Sequence, residues 1–169
     1  VSLSSPSKGR YLMAKKYFDK NHEWNNLEFK NGDINTSIIQ TTYGKTIMIQ
    51  WDETSPRPYT RHNLIQGTMG ALTGFPTRVF FDSKENQNSI GYFPWIEGKD
   101  LSEIYEKYDH PLYKKLNEKT AGSGHGGMDG IMMYRIIECL QKGEPLDQNV
   151  YEGAFWSAVT PLSAKSIDS

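Results

Sequence analysis

One cysteine, Cys139, stands in 169 residues, which excludes an internal disulfide framework and any zinc site built on several thiolates. No apolar run approaches the roughly 20 residues needed to span a bilayer. The start Val1-Ser2-Leu3-Ser4-Ser5-Pro6 carries neither an initiator Met nor a charged segment leading into an apolar one. The expectation drawn from that start is a piece of a longer polypeptide, beginning inside a fold. Charge of one sign is missing too. The 19 Lys and Arg residues are offset by 20 Asp and Glu, a net charge of −1, and no basic run supplies the field that phosphate backbones or anionic membrane surfaces require. Neither nucleic acid nor a membrane is an expected partner. Internal repeats, low-complexity tracts and linkers are absent as well, so residues 1–169 read as one continuous domain.

What is present suits a soluble globular chain: 37% hydrophobic, 12% aromatic and 23% charged residues, at a length that allows a hydrophobic core. Residues 10–21 carry Tyr11, Leu12, Ala14 and Phe18 at spacings that predict a short helix. The runs Thr36 to Tyr43 and Lys45 to Asp52 predict a hairpin around Gly44, with Trp51 expected in the core. A β-rich region from His62 to Asp82 is punctuated by Gly67, Gly70, Gly74 and Pro76. Beyond it the pattern turns helical. Asp100 and Glu103 are spaced as a capping box before Leu101, Ile104, Tyr105 and Tyr108, and a helix from Met128 to Lys142 is closed by Gly143 and Pro145. Strands followed by helices predict an α+β fold, one open antiparallel or mixed β-sheet covered on one face by helices.

Two stretches bear on chemistry. Gly122-Ser123-Gly124-His125-Gly126-Gly127 matches the dinucleotide pattern GxGxxG, yet that mechanism requires a preceding strand, and Lys114 to Ala121 is polar and helical in character. What remains is a glycine loop presenting His125 at a helix start, suited either to polar ligand contact or to a tight structural loop. In Thr54-Ser55-Pro56-Arg57-Pro58-Tyr59-Thr60-Arg61 the prolines pin an extended backbone. Alternation then projects Arg57, Tyr59 and Arg61 together, a phenol between guanidiniums suited to sugar hydroxyls or anions, unless the segment is a rigid turn with solvated arginines. Trp95, between Pro94 and Gly98, is expected to be exposed. His22, His62, His110 and His125 form no HxH or HxxxH pair, so no metal is expected. Cys139, beside Ile136 and Leu140, is expected to be a buried thiol.

Several segments together carry a family resemblance: Asp33-Ile34-Asn35-Thr36-Ser37, Gly44 to Gln50, Thr54-Ser55-Pro56-Arg57-Pro58-Tyr59, Gln66-Gly67-Thr68, Gly124-His125-Gly126-Gly127-Met128-Asp129, and Trp156 to Ser163. In this order, along nearly the whole chain, they resemble glycoside hydrolase family 109, NAD-dependent α-N-acetylgalactosaminidases of the Gfo/Idh/MocA superfamily. Three positions depart from the family pattern. Met69 and Ala71 stand where a basic residue and a bulky aliphatic are expected, and Gly130 stands where a large apolar residue is usual.

The resemblance implies a two-part enzyme. An N-terminal Rossmann domain would hold NAD and the catalytic histidine segment, and the chain here would be the C-terminal, substrate-facing sheet domain, with β structure in Val1 to Ser7. It implies an exo-glycosidase acting on terminal α-linked N-acetylgalactosamine by C3 oxidation, elimination, water addition and re-reduction, one of the exceptions to paired-carboxylate glycosidases. No catalytic residue, NAD or metal is expected on this chain alone. Tyr59 is the foremost substrate contact, His125 the next, with Arg57 and Arg61 after them. The partners implied are an N-acetylgalactosamine-containing glycan, the Rossmann domain and a second copy through the open sheet face. Family membership further implies a bacterial protein that is periplasmic or exported. The alternatives are a non-catalytic carbohydrate-binding or oligomerisation module, and a domain of a related sugar dehydrogenase with net redox turnover.

Overall fold

In a computed structural model, residues 1–82 and 93–169 are described. They form two compact units, Val1–Arg57 with Asp147–Ser169, and Pro58–Leu146. The first unit holds a three-stranded antiparallel sheet in the order β1 (Ser2–Ser4), β2 (Ile34–Gln40), β3 (Thr46–Asp52). The predicted hairpin is present in the register Ile39↔Ile47 and Ser37↔Ile49. Its turn closes with Thr41 N–H donating to Lys45 O at 2.8 Å, and Gly44 adopts φ +76°, a conformation that glycine takes without steric cost.

Helix α1 (Lys8–Tyr17) begins two residues earlier and ends sooner than predicted. Asp33 caps it from outside: its Oδ2 accepts from Gly9 N at 2.7 Å, meeting one of the donors that a helix start leaves open. The chain's C-terminal helices, α5 (Val150–Ser157) and α6 (Val159–Ile167), complete the unit. α6 docks on the sheet through hydroxyls. Ser37 Oγ lies 2.8 Å from Ser2 Oγ and 2.7 Å from Ser163 Oγ, and Ser2 N–H donates to Ser166 Oγ at 3.0 Å. Ser2 and Ser37 are buried, so these contacts stand in for water. Since alternate residues face opposite sides, Leu3, Ile38 and Met48 lie on the face away from α6, and all three are exposed.

The second unit carries an antiparallel meander, β4 (Asn63–Gly67), β5 (Gly70–Gly74), β6 (Arg78–Phe81) and β7 (Ile96–Glu97). Helices α2 (Leu101–Tyr108), α3 (Pro111–Thr120) and α4 (Met128–Lys142) follow. The α+β reading holds with open sheets, although the strands divide into two sheets rather than one. α4 has the predicted bounds, and Gly143 ends it in the left-handed conformation at φ +67°. Cys139 is fully buried, as expected. α4 approaches the turn after α3 closely: a Cβ on Gly130 would lie 2.8 Å from Thr120 Cβ, and Ser123 Oγ accepts from Gly130 N at 3.0 Å. The absence of a large side chain at this position therefore matches the packing found here.

Two expectations are corrected. Asp100 makes no side-chain cap, because it already has helical angles inside a 3-10 turn and lacks the extended geometry a cap requires. A complete capping box forms instead at Asn149 and Glu152, opening α5. Trp51 is 63% exposed rather than part of the core: it lies on β3, an edge strand, while α6 covers β1. The core itself is thin. Among the described residues the buried apolar side chains are Ala14, Val79, Leu101, Leu116 and Cys139.

At the β4–β5 turn, a Cβ on Gly70 would collide with the Phe80 carbonyl oxygen of the paired strand. Gly70→Ala is expected to cost about 3 kcal/mol in urea unfolding. Gly153→Ala, where the added methyl meets open space within α5, is expected to gain up to about 1 kcal/mol in the same measurement.

Candidate functional site

β3 ends at Asp52, whose carboxylate organises the chain leaving the sheet. Oδ1 accepts from Thr54 N at 3.3 Å and Ser55 N at 3.1 Å, an Asx-type turn, while Oδ2 pairs with Arg57 Nε at 3.1 Å. The Ser55 backbone N–H first, with Arg57 adding to it, holds the Asp52 carboxyl below its ordinary value. Arg57, predicted to project with Tyr59 and Arg61, is thus committed to Asp52 within the first unit.

Tyr59 and Arg61, in the second unit, do come together as the alternation predicts. Arg61 Nε donates to Tyr59 Oη at 2.7 Å. The Phe75 ring stands 6.2 Å from the Tyr59 ring and 5.9 Å from the Arg61 guanidinium. Tyr59 is 76% exposed. Its oxygen accepts from a cation, so the phenolic hydrogen remains to donate outward as a strengthened hydrogen-bond donor. Such a group suits a sugar oxygen or a carbonyl.

His125 sits in the glycine loop with φ +54°, followed by Gly126 at +69° and Gly127 at +96°. Three successive left-handed residues are tolerated because two are glycine, and they set His125 apart from the axis of α4. Its Nδ1 lies 3.0 and 3.1 Å from the two carboxylate oxygens of Asp129. Among the described residues no hydrogen bond, ion pair or ring contact joins His125 to Tyr59. It lines a cleft of about 550 Å³ with His110, Leu112, Tyr113, Gly126, Met128 and Ile131.

His110, Tyr113 and Asp129 were not singled out as candidate ligand contacts in the sequence. The available signals were Pro111, which marks His110 as the residue before a helix start, and the four-residue spacing of His125 and Asp129. Phe75 gave no signal, since its approach to Tyr59 is tertiary. Trp95 is partly exposed, with the Arg78 guanidinium 5.3 Å from its ring.

No group of three or more His, Cys, Asp or Glu side chains among the described residues is arranged to hold a metal. The Gly122–Gly127 loop lacks the context of a dinucleotide fingerprint, because it follows α3 rather than a strand. Within it Ser123 N donates to Thr120 O at 2.8 Å and Gly127 N to Gly124 O at 3.2 Å. No helix among the described residues is long and apolar enough to cross a membrane.

An open α+β domain with an exposed phenol motif and a histidine-lined cleft is what the fold defines, and comparison with known proteins places it. Residues 1–169 match the family model described as the C-terminal domain of glycosyl hydrolase 109. The chain belongs to glycosyl hydrolase family 109. It is 59% identical over 169 residues to glycosyl hydrolase family 109 protein 1 of Akkermansia muciniphila, covering 99% of this chain and 34% of that protein. Protein 2 of the same organism is 56% identical, with 99% and 35% covered, and a family 109 protein of Shewanella amazonensis is 51% identical, with 98% and 36% covered. The chain therefore spans about a third of the length of these curated relatives.

The lowered carboxyl of Asp52 makes the first unit acid-sensitive. Its contribution is complete above the ordinary carboxyl value, about 3.9, and is lost as pH falls from there through the depressed folded value. Asp52→Asn keeps the turn acceptor but removes the charge. Urea midpoints measured from pH 7 down to 2.5 are expected to fall less steeply on the acid side for that variant than for the native chain.

Proposed function

We propose that this chain is the substrate-facing part of an exo-glycosidase that removes terminal α-linked N-acetylgalactosamine. NAD, held by an N-terminal Rossmann domain outside this chain, would supply oxidation at C3 and return hydride after elimination and water addition. The observation that carries the reading is the exposed Tyr59 phenol, held through its oxygen by Arg61. It stands inside the Ser55-Pro56-Arg57-Pro58-Tyr59 motif of a chain that matches the family domain along its whole length. Tyr59 donates to a sugar oxygen, Arg61 orients it, and Arg57 with Asp52 shapes the turn that precedes it. His125 is a further polar contact. The thin core and uncovered apolar surface fit a domain that completes its packing against another part of a larger protein.

A second reading concerns assembly, and Leu3, Ile38 and Met48 on the uncovered sheet face favour it. This face packs against a second copy of the protein. The double variant Ile38→Lys/Met48→Lys is expected to convert dimer to monomer in light scattering, and an unchanged mass removes this surface from consideration.

For the activity itself, the full-length protein is assayed with an aryl α-N-acetylgalactosaminide in D₂O. Tyr59→Phe is expected to lower kcat/KM about tenfold, the loss of one polar contact to the transition state. Product formed without deuterium at C2 rejects the elimination route. Steady NADH release favours a sugar dehydrogenase instead.

A further inference from the structure

Tyr59 and Arg61 are bonded to each other on the extended segment ahead of β4, where Arg61 Nε donates to Tyr59 Oη at 2.7 Å. That bond fixes the pair internally but does not hold it against the sheet. The segment's other side-chain bond, Thr60 Oγ1 accepting from His62 N at 3.1 Å, is local as well. Among the described residues, the hydrogen bonds, ion pairs and ring contacts of both side chains lead to one residue from elsewhere in the fold, Phe75. Its ring centroid lies 6.2 Å from that of Tyr59, with 58° between the planes, and 5.9 Å from the Arg61 guanidinium carbon. The three groups close a triangle, each in contact with the other two.

Phe75 is itself well anchored. It follows directly on β5, a strand paired on both edges, to β4 through Asn63↔Gly74 and to β6 through Thr73↔Arg78. This register sets the end of β5 beside the start of β4, so backbone pairing carries Phe75 to the segment that bears the phenol. We propose that Phe75 is the positioning residue of the Tyr59 site, holding the Tyr59–Arg61 pair against the end of β5 and so setting where the phenol meets substrate. Tilted rings at this separation attract each other, and an aromatic face attracts a guanidinium. A ring also suits the task better than a carboxylate. No carboxylate among the described residues pairs with Arg61, and one that did would compete with the Tyr59 oxygen for the guanidinium N–H groups. Phe75 is 57% exposed, which ties its ring to these neighbours rather than to the core. That Tyr59 meets a substrate rests on the glycosidase reading above, whereas the anchoring rests on the contacts themselves.

Two readouts on the full-length protein separate anchoring from hydrolysis. With ¹⁵N-arginine labelling, the Arg61 Nε–H signal is assigned by its loss in Arg61→Lys, and its exchange with water is measured. Phe75→Leu keeps an apolar side chain but removes the ring, and is expected to speed that exchange about fivefold. Phe75→Tyr is expected to restore the native rate. With the aryl α-N-acetylgalactosaminide, Phe75→Leu is expected to lower kcat/KM about fivefold, the scale of one aromatic contact, and Phe75→Tyr to recover most of the loss. Because the ring acts through the phenol, Phe75→Leu introduced into Tyr59→Phe is expected to change kcat/KM by less than about twofold. The proposal is overturned if Arg61 exchange is the same in Phe75→Leu as in the native protein. It is equally overturned if the Phe75→Leu loss in kcat/KM is as large without the Tyr59 hydroxyl as with it, which would make Phe75 a direct substrate contact or a purely structural residue. Absence of hydrolysis by the native protein, with Arg61 exchange still answering to Phe75, strikes the glycosidase reading alone. Hydrolysis that Phe75→Leu leaves unchanged strikes the positioning role alone.

Discussion

A run of hydroxyls ties the two ends of the polypeptide together. Ser2, Ser37 and Ser163 form a hydrogen-bonded chain, and Ser166 takes the backbone N–H of Ser2. β1 has three residues, too few for pairing along one edge to hold it firmly, so its attachment to α6 is what makes it a dependable member of the sheet. With so few apolar side chains buried, directed polar contacts carry much of the positional information that a larger core supplies in other folds. Each contact must be satisfied, since a hydroxyl removed from water without a partner is destabilising.

The same economy governs the functional segments. Asp33 caps α1 from a distant loop, Asp52 shapes the turn that follows β3, and Arg61 holds the Tyr59 oxygen. In the α3–α4 region, Ser123 accepts from Gly130 N and donates to Thr120 O, bracing the glycine loop that carries His125. Lys115 Nζ reaches Tyr134 Oη at 2.8 Å, between α3 and α4. Side chains with exposed reactive atoms are thus held from behind by charged or backbone partners, which fixes their direction while leaving their faces to solvent. Glycines serve this arrangement by allowing close approach, at Gly130, or left-handed turns, at Gly126 and Gly127.

Much of the local structure was legible in the sequence. The β2–β3 hairpin, the bounds of α4 with its Gly143 stop and the buried Cys139 follow from alternation, helical periodicity and capping chemistry, all read within one short window. The same reasoning set aside the GxGxxG match, because its context is helical, and it paired Tyr59 with Arg61. It failed where a competing partner lay elsewhere. Arg57 answers to Asp52, Asp100 is drawn into a 3-10 turn, and Trp51 falls on an edge strand beyond the reach of α6. His110 reads as a scattered histidine in the sequence because the residues that line a cleft with it come from α3, α4 and the glycine loop.

The order of residues alone determined the β2–β3 hairpin, the bounds of α4 and the family that the motifs indicate, since these depend on neighbours within a few positions. Tertiary structure decided which faces stay open, which cation answers which carboxylate, and that two histidines fifteen positions apart line one cleft. Such pairings are set by the approach of whole elements, and no local window of sequence contains that distance.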